Sequence, residues 1–248
     1  MATALVTGAS GGIGLELARL LAADGHRLVL AARSTGQLER VAAELPDATA
    51  VTADLSTPEG VRAVREAVGE VDVLVNNAGI GGFGPFAETD PARTQQMIQL
   101  NVVALTELTR AYLPGKLAKR SGRVLNVAST ASFQPGPLMA VYYATKAYVL
   151  SFTEAVAEEV RGSGVTVTAL CPGPTATGFQ AEAQLEGSKL VRGRTLPTAA
   201  DVAKDGYRAM LRGDVVYVPG FRNKVLASSV RLTPRPIIRR AVHRIQST

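Results

Sequence analysis

Tyr142 and Lys146 stand four residues apart in a stretch, Val141 to Arg161, whose apolar pattern predicts a helix. Side chains at that spacing leave one helix face a turn apart. A tyrosine hydroxyl ordinarily titrates near about 10 and is a poor base at neutral pH, but a neighbouring ammonium favours the phenolate and lowers that value. A tyrosine so tuned gives a proton to a carbonyl oxygen or takes one from an alcohol. The spacing alone also fits a partly buried tyrosine beside a solvated lysine. Ser129, thirteen residues before Tyr142, follows the strand-like run Gly122 to Ala128 and, taken alone, reads as a turn or helix-capping serine. The adjoining Tyr143 has no lysine four residues on and is expected to face the sheet or a subunit contact.

A second group of residues suits a phosphate. Thr7-Gly8-Ala9-Ser10-Gly11-Gly12-Ile13-Gly14 follows the first strand-like run and opens a helix. Glycines there let backbone amides and the positive helix end approach a pyrophosphate, although a plain tight turn has the same composition. The next strand-like run ends Leu30-Ala31-Ala32-Arg33-Ser34, with no acidic residue to meet a ribose 2′-hydroxyl. Arg33 offers a fixed positive charge suited to a 2′-phosphate, so NADP(H) is expected over NAD(H). A solvated arginine at a strand end is the alternative.

The spacing of Gly8, Gly12 and Gly14 resembles the T-G-x-x-x-G-x-G pattern of the short-chain dehydrogenase/reductase family, and the likeness runs over roughly residues 1 to 220. The resemblance implies an NADP(H)-dependent oxidoreductase that interconverts a carbonyl and an alcohol. It also implies roles. Ser10 and Ile13 would lie along the cofactor, Asp54 and Leu55 at its adenine edge, and Asn77, Ala78 and Gly79 on its adenine side. Pro172, Gly173, Thr175 and Thr177 match the motif that contacts the carboxamide and phosphates. Ser129 would hold the substrate oxygen, Tyr142 would act as acid/base, and Lys146 would tune it and hold the nicotinamide ribose. An oxidised nicotinamide would lower the Tyr142 value further. Asn101, in Gln99-Leu100-Asn101-Val102, matches the helix asparagine whose backbone kink and bound water link the lysine to solvent. With it the family's catalytic tetrad, Asn101, Ser129, Tyr142 and Lys146, is complete. A non-catalytic NADP sensor or scaffold on the same fold would have no need of that tetrad, and a methyltransferase sharing the fold would lack it.

These residues must be positioned by regular elements. Strand-length apolar runs fall at Ala4 to Val6, Arg27 to Ala32, Ala48 to Thr52, Val71 to Asn76, Gly122 to Ala128, Val165 to Cys171 and Val215 to Pro219. Helical patterns intervene at Ile13 to Ala23, Thr35 to Leu45, Pro58 to Val68, Pro91 to Leu117, Val141 to Arg161 and Ala199 to Leu211. This alternation predicts an α/β, Rossmann-type, doubly wound fold: a seven-stranded parallel sheet with helices on both faces and its ligand beyond the strands' carboxyl ends. A single domain, 1–248, is expected, with a core at 1–220 and a C-terminal extension at 221–248. The glycine-rich stretch Pro172 to Pro197 is too long for a simple connection and reads as a lid.

Of the 248 residues, 46% are apolar, and no run suits a signal peptide or a membrane span, so a cytoplasmic protein is expected. Cys171 is the lone cysteine and His26 and His243 the only histidines, so neither a disulfide nor a clustered metal site is expected. The net charge of +6 arises in the tail: no acidic residue follows Asp214, while Arg222, Lys224, Arg231, Arg235, Arg239, Arg240 and Arg244 are basic. Setting those seven aside from the 27 basic residues leaves 20 against 21 acidic, which gives no reason to expect nucleic-acid binding. Val225, Leu226, Ile237, Ile238, Val242 and Ile245 alternate with the tail arginines near helical spacing. The tail is expected to pack on its own domain or a neighbouring subunit, with an anionic membrane surface as the alternative. Gly81 to Phe86, Phe133 to Met139 and Phe179 to Leu190 would line an apolar substrate site for a neutral carbonyl compound. The resemblance implies a homodimer or homotetramer built on the helices of Asn101 and Tyr142.

Overall fold

The computed structural model describes residues 1–183, 195–230 and 232–247. Seven strands, β1 (Thr3–Thr7), β2 (Arg27–Ala32), β3 (Ala48–Thr52), β4 (Val73–Asn76), β5 (Gly122–Val127), β6 (Val165–Leu170) and β7 (Val216–Tyr217), form one parallel sheet in the order β3-β2-β1-β4-β5-β6-β7. The central strands bury almost every residue, as a strand covered on both faces must.

On one face, α1 (Gly12–Ala23), α2 (Thr35–Glu44) and α8 (Ala199–Arg212) bury Leu17, Leu21, Leu38, Tyr207 and Met210 against the sheet. On the other lie α3 (Pro58–Ala67), α4 (Pro91–Ile98), α5 (Leu105–Lys119) and α6 (Ala140–Glu159), with Val61, Val64, Met97, Leu108, Tyr112 and Val156 turned inward. Thr57 and Asp90 cap α3 and α4, accepting from the amides of Gly60 at 3.1 Å and Ala92 at 2.9 Å, and a proline follows each cap. The winding direction reverses between β1 and β4, which opens a crevice at their carboxyl ends.

Two expectations are corrected. The helix read as continuous from Pro91 to Leu117 is interrupted by a π-helical segment, Gln99–Ala104, between α4 and α5. The last strand, read as Val215 to Pro219, pairs with β6 only through Val216 and Tyr217. The extension is helical and packs on its own domain, as expected: α9 (Phe221–Ser229) and α10 (Arg235–Gln246) lie over the carboxyl end of the sheet. The short helix α7 (Phe179–Glu182) follows β6, and the remainder of the presumed lid, 184–194, lies outside the described residues. Among the described residues no helix is long and apolar enough to cross a membrane.

Candidate active site

A cleft of about 1090 Å³ opens at the crevice between β1 and β4. Its floor is the glycine turn. Gly8 adopts φ +65° beside Asn77, whose Nδ2 would lie 2.7 Å from any Cβ there. Asn77 Nδ2 donates to the carbonyls of Thr7 at 2.9 Å and Gly8 at 3.1 Å, and the Thr7 hydroxyl accepts from the amides of Asn77 and Ala78 at 3.0 Å. Thr7 and Asn77 thus staple β1 to β4 and hold the turn open. Sequence reasoning quoted Thr7 as the opening residue of the glycine motif but gave it no role of its own.

Ser10, Gly12 and Ile13 line the cleft at the start of α1. Gly12 adopts φ +57°, with Thr177 Cγ2 3.3 Å from where a Cβ would stand. The first turn of α1 has neither a side-chain cap nor an acidic residue, so its amides and positive end remain available to an anion. This set fits a dinucleotide pyrophosphate. Gly14, expected among the cofactor contacts, does not line the cleft; it backs onto Gly8 and Asn77 too closely for any side chain, so its role is packing.

Arg33, Asp54, Leu55, Asn77, Ala78 and Gly79 line the cleft beyond the turn. Arg33 Nη2 lies 3.7 Å from Glu182 Oε1, which also takes Arg93 Nη2 at 3.0 Å. The Asp54 carboxylate accepts from the amide of Ser56 at 2.9 Å and its hydroxyl at 2.7 Å. Pro172, Gly173, Thr175 and Thr177 form the opposite wall, where Thr175 Oγ1 donates to the Gly173 carbonyl at 2.9 Å.

Ser129, Tyr142 and Lys146 meet in the cleft between these walls. Ser129 both caps the 3-10 turn Thr130–Phe133, accepting from the Ala131 amide at 3.1 Å, and hydrogen-bonds Tyr142. Its capping role is thus met, and its hydroxyl stands beside the phenol in the cleft. Lys146 Nζ lies 5.9 Å from the Tyr142 ring centroid and donates to the Val127 carbonyl at 2.7 Å. Ser132 Oγ donates to the Lys146 carbonyl at 2.7 Å, seating α6 against the end of β5.

The expected lowering of the Tyr142 value is not seen within the chain. Burial pushes the phenol up to about 12, opposed by the hydrogen bond with Ser129. Burial also pushes the Lys146 ammonium down to about 8. Desolvation outweighs the pairing because the ammonium turns to Val127 rather than to the phenol.

Asn101 sits in the π segment behind the cleft and does not line it. Its Oδ1 accepts from the Ile80 amide at 3.0 Å, while Nδ2 donates to the Ile80 carbonyl at 2.9 Å and Thr145 Oγ1 at 3.1 Å. Asn101 thereby ties the strand-four loop to α6 one residue from Lys146, at a π segment where the resemblance implied a backbone kink.

The substrate end differs from expectation. Tyr143 faces neither the sheet nor open surface: its ring packs with Met139, Ile238 and Val242, and its hydroxyl accepts from Gln246 Nε2. That contact ties α10 to α6. Leu226, Val230, Ile237, Ala241 and Ile245 of the tail then wall the cleft, none of which sequence reasoning placed there. Phe179 stands 5.3 Å from the Tyr142 ring, as a lining residue should, and Met139 also lines the cleft. Gly81 to Phe86 line an adjoining cavity of about 510 Å³ that shares Met139, Tyr142 and Glu182 with the cleft, and the expected lining beyond Ala183 lies outside the described residues. Among the described residues no cluster of three histidine, cysteine or acidic side chains could hold a metal.

Comparison with known proteins agrees with this geometry. The family model described as short chain dehydrogenase matches residues 2–187. The ketoacyl reductase HetN of Nostoc sp. is 36% identical over 197 residues, covering 76% of this chain and 69% of its own. A short-chain dehydrogenase of Sphingobium yanoikuyae in complex with NADPH superposes with TM-score 0.84 at 30% identity, over 93% of this chain and 94% of its own. A short chain dehydrogenase/reductase of Burkholderia phymatum in complex with NAD gives 0.82 at 27% identity, over 93% and 92%.

Proposed function

This chain belongs to the short-chain dehydrogenase/reductase family of oxidoreductases acting on alcohol and carbonyl groups, and from that premise we propose that it reduces a small, fairly apolar carbonyl compound with NADPH, Tyr142 supplying the proton. The observation that carries the reading is the convergence of Ser129, Tyr142 and Lys146 in one cleft with the uncapped start of α1. NADPH, when bound, supplies the hydride.

Gly8, Ser10, Gly12 and Ile13 would hold its pyrophosphate, and Asp54, Leu55, Asn77, Ala78 and Gly79 its adenine half. Pro172, Gly173, Thr175 and Thr177 would hold its nicotinamide end. Arg33, which lines the cleft, would meet a 2′-phosphate, and no acidic residue stands at that strand end to prefer a bare hydroxyl. Ser129 and Tyr142 grip the substrate oxygen. Because burial favours the neutral phenol, Tyr142 carries its proton ready for a carbonyl. Ser129 steadies the charge developing on that oxygen. Lys146, buried beside the phenol, restores the proton and holds the ribose. The apolar cleft wall contributed by α10 and Phe179 favours a neutral, hydrophobic substrate. The outer face of α6, where Tyr148 stacks on Phe152 at 5.8 Å, suits a dimer or tetramer contact.

A panel of ketones and aldehydes followed by NADPH and NADH absorbance tests the reading. Turnover of an apolar carbonyl with kcat/KM favouring NADPH is expected. A preference for NADH removes the role of Arg33, and preference for charged carbonyls removes the substrate assignment.

A further inference from the structure

The tail that walls the cleft also has an outer surface. From Val215 onward the chain has no acidic residue. Its described cations, Arg222, Lys224, Arg235, Arg239, Arg240 and Arg244, are all exposed, and none of them forms an ion pair among the described residues. Large apolar side chains stand between them: Phe221 is 81% exposed, Leu232 89%, Leu226 64% and Ile237 56%. Exposed bulky side chains grouped in this way mark an interaction surface.

The periodicity of α10 fixes what that surface adjoins. Ile238, Val242 and Gln246, spaced by four, are buried against the body. Ile237, Ala241 and Ile245, one position earlier, line the cleft, yet Ile237 and Ile245 remain about half exposed. They form the rim of the cleft mouth. On a helix of 3.6 residues per turn, Arg240 and Arg244 fall on the next stripe outward. The mouth is therefore bordered by apolar side chains and then by cations.

Charge selects the occupant. A second copy docked through a two-fold axis would bring the same patch against itself and oppose one set of cations to another. An anionic lipid surface accepts both components, apolar side chains entering the acyl boundary and arginines meeting headgroups. We propose that α9 and α10 dock the protein on an anionic lipid surface with the mouth of the cleft turned toward the bilayer, from which an apolar substrate would enter directly. The docking does not depend on which carbonyl compound is reduced.

Sedimentation of the full chain with vesicles of phosphatidylcholine alone, or with a third of phosphatidylglycerol, tests this. The chain is expected to bind the anionic vesicles and to be released by salt. Two double variants, Phe221→Ser with Leu232→Ser and Arg239→Glu with Arg240→Glu, are each expected to lower the partition coefficient at least about tenfold. Their thermal melts and their turnover of a water-soluble carbonyl should match the parent, since these side chains are exposed and lie outside the cleft lining. Failure of the parent to bind anionic vesicles, or binding that neither variant weakens, overturns the proposal. So does self-association abolished by the Phe221/Leu232 variant without vesicle binding, which assigns the surface to a second copy. Retention on polyglutamate without vesicle binding assigns it to an acidic protein and overturns the proposal equally.

Discussion

A phenol that donates a proton must hold it until the carbonyl arrives, and burial of Tyr142 favours the protonated form by pushing it up to about 12. The weaker holder is Lys146, pushed down to about 8 by the same burial. Free-enzyme titrations appear in kcat/KM. Carbonyl reduction is therefore expected to hold steady below about pH 8 and to fall above it, as the ammonium that restores the Tyr142 proton is lost. Lys146→Arg, whose charge persists, should move that alkaline limb upward by more than about one unit. A limb left in place would show that another group sets it. The identities and spacing of Tyr142, Lys146 and Ser129 were legible in the sequence because one helical turn and one strand end determine where they emerge. The sign of the Tyr142 shift was not, because desolvation depends on what the rest of the fold lays over the ring.

Helices and strands were legible to the extent that their patterns are local. The apolar runs of β1 to β6 follow from side-chain periodicity, and the starts of α3 and α4 fall at Pro58 and Pro91 as the pattern placed them, the caps Thr57 and Asp90 being seen only in the structure. The π segment at Gln99–Ala104 was foreshadowed only by Asn101, since an extra residue in a helical turn leaves the apolar pattern nearly unchanged. Helix α5 carries a further burden that the sequence did not reveal. Lys116 is 1% exposed, donates to the Val71 carbonyl and is pushed down to about 8 by burial. Between about pH 8 and its ordinary 10.5 the unfolded chain binds more protons at this site, so folded stability from this group rises with pH. Below about pH 8 the cost of burying the charge is present in full. In urea unfolding, the stability of the parent relative to Lys116→Met should improve by up to about 3 kcal/mol between those limits. A difference that does not change with pH would mean that Lys116 reaches water.

Over the entire chain, a near-neutral body carries its chemistry at the carboxyl ends of β1, β4, β5 and β6, while a basic tail folds back over the substrate end. The body was legible because each βαβ unit is local in sequence and the reversal between β1 and β4 gives the crevice. The tail's location was not, because Tyr143 meets Gln246 across more than a hundred residues and no periodicity reports such a contact. In the proposed reading the fold divides its tasks: the sheet would present the dinucleotide turn and α6 the proton donor, while α10 closes the apolar wall. What would unite them is the proposed proton delivery by Tyr142, and replacing its hydroxyl alone tests this most directly. Tyr142→Phe should bind NADPH, followed by its fluorescence, within about twofold of the parent while losing roughly 10² to 10⁴ in kcat for the best carbonyl substrate. A variant that binds NADPH normally and turns over at the parental rate would contradict the assignment.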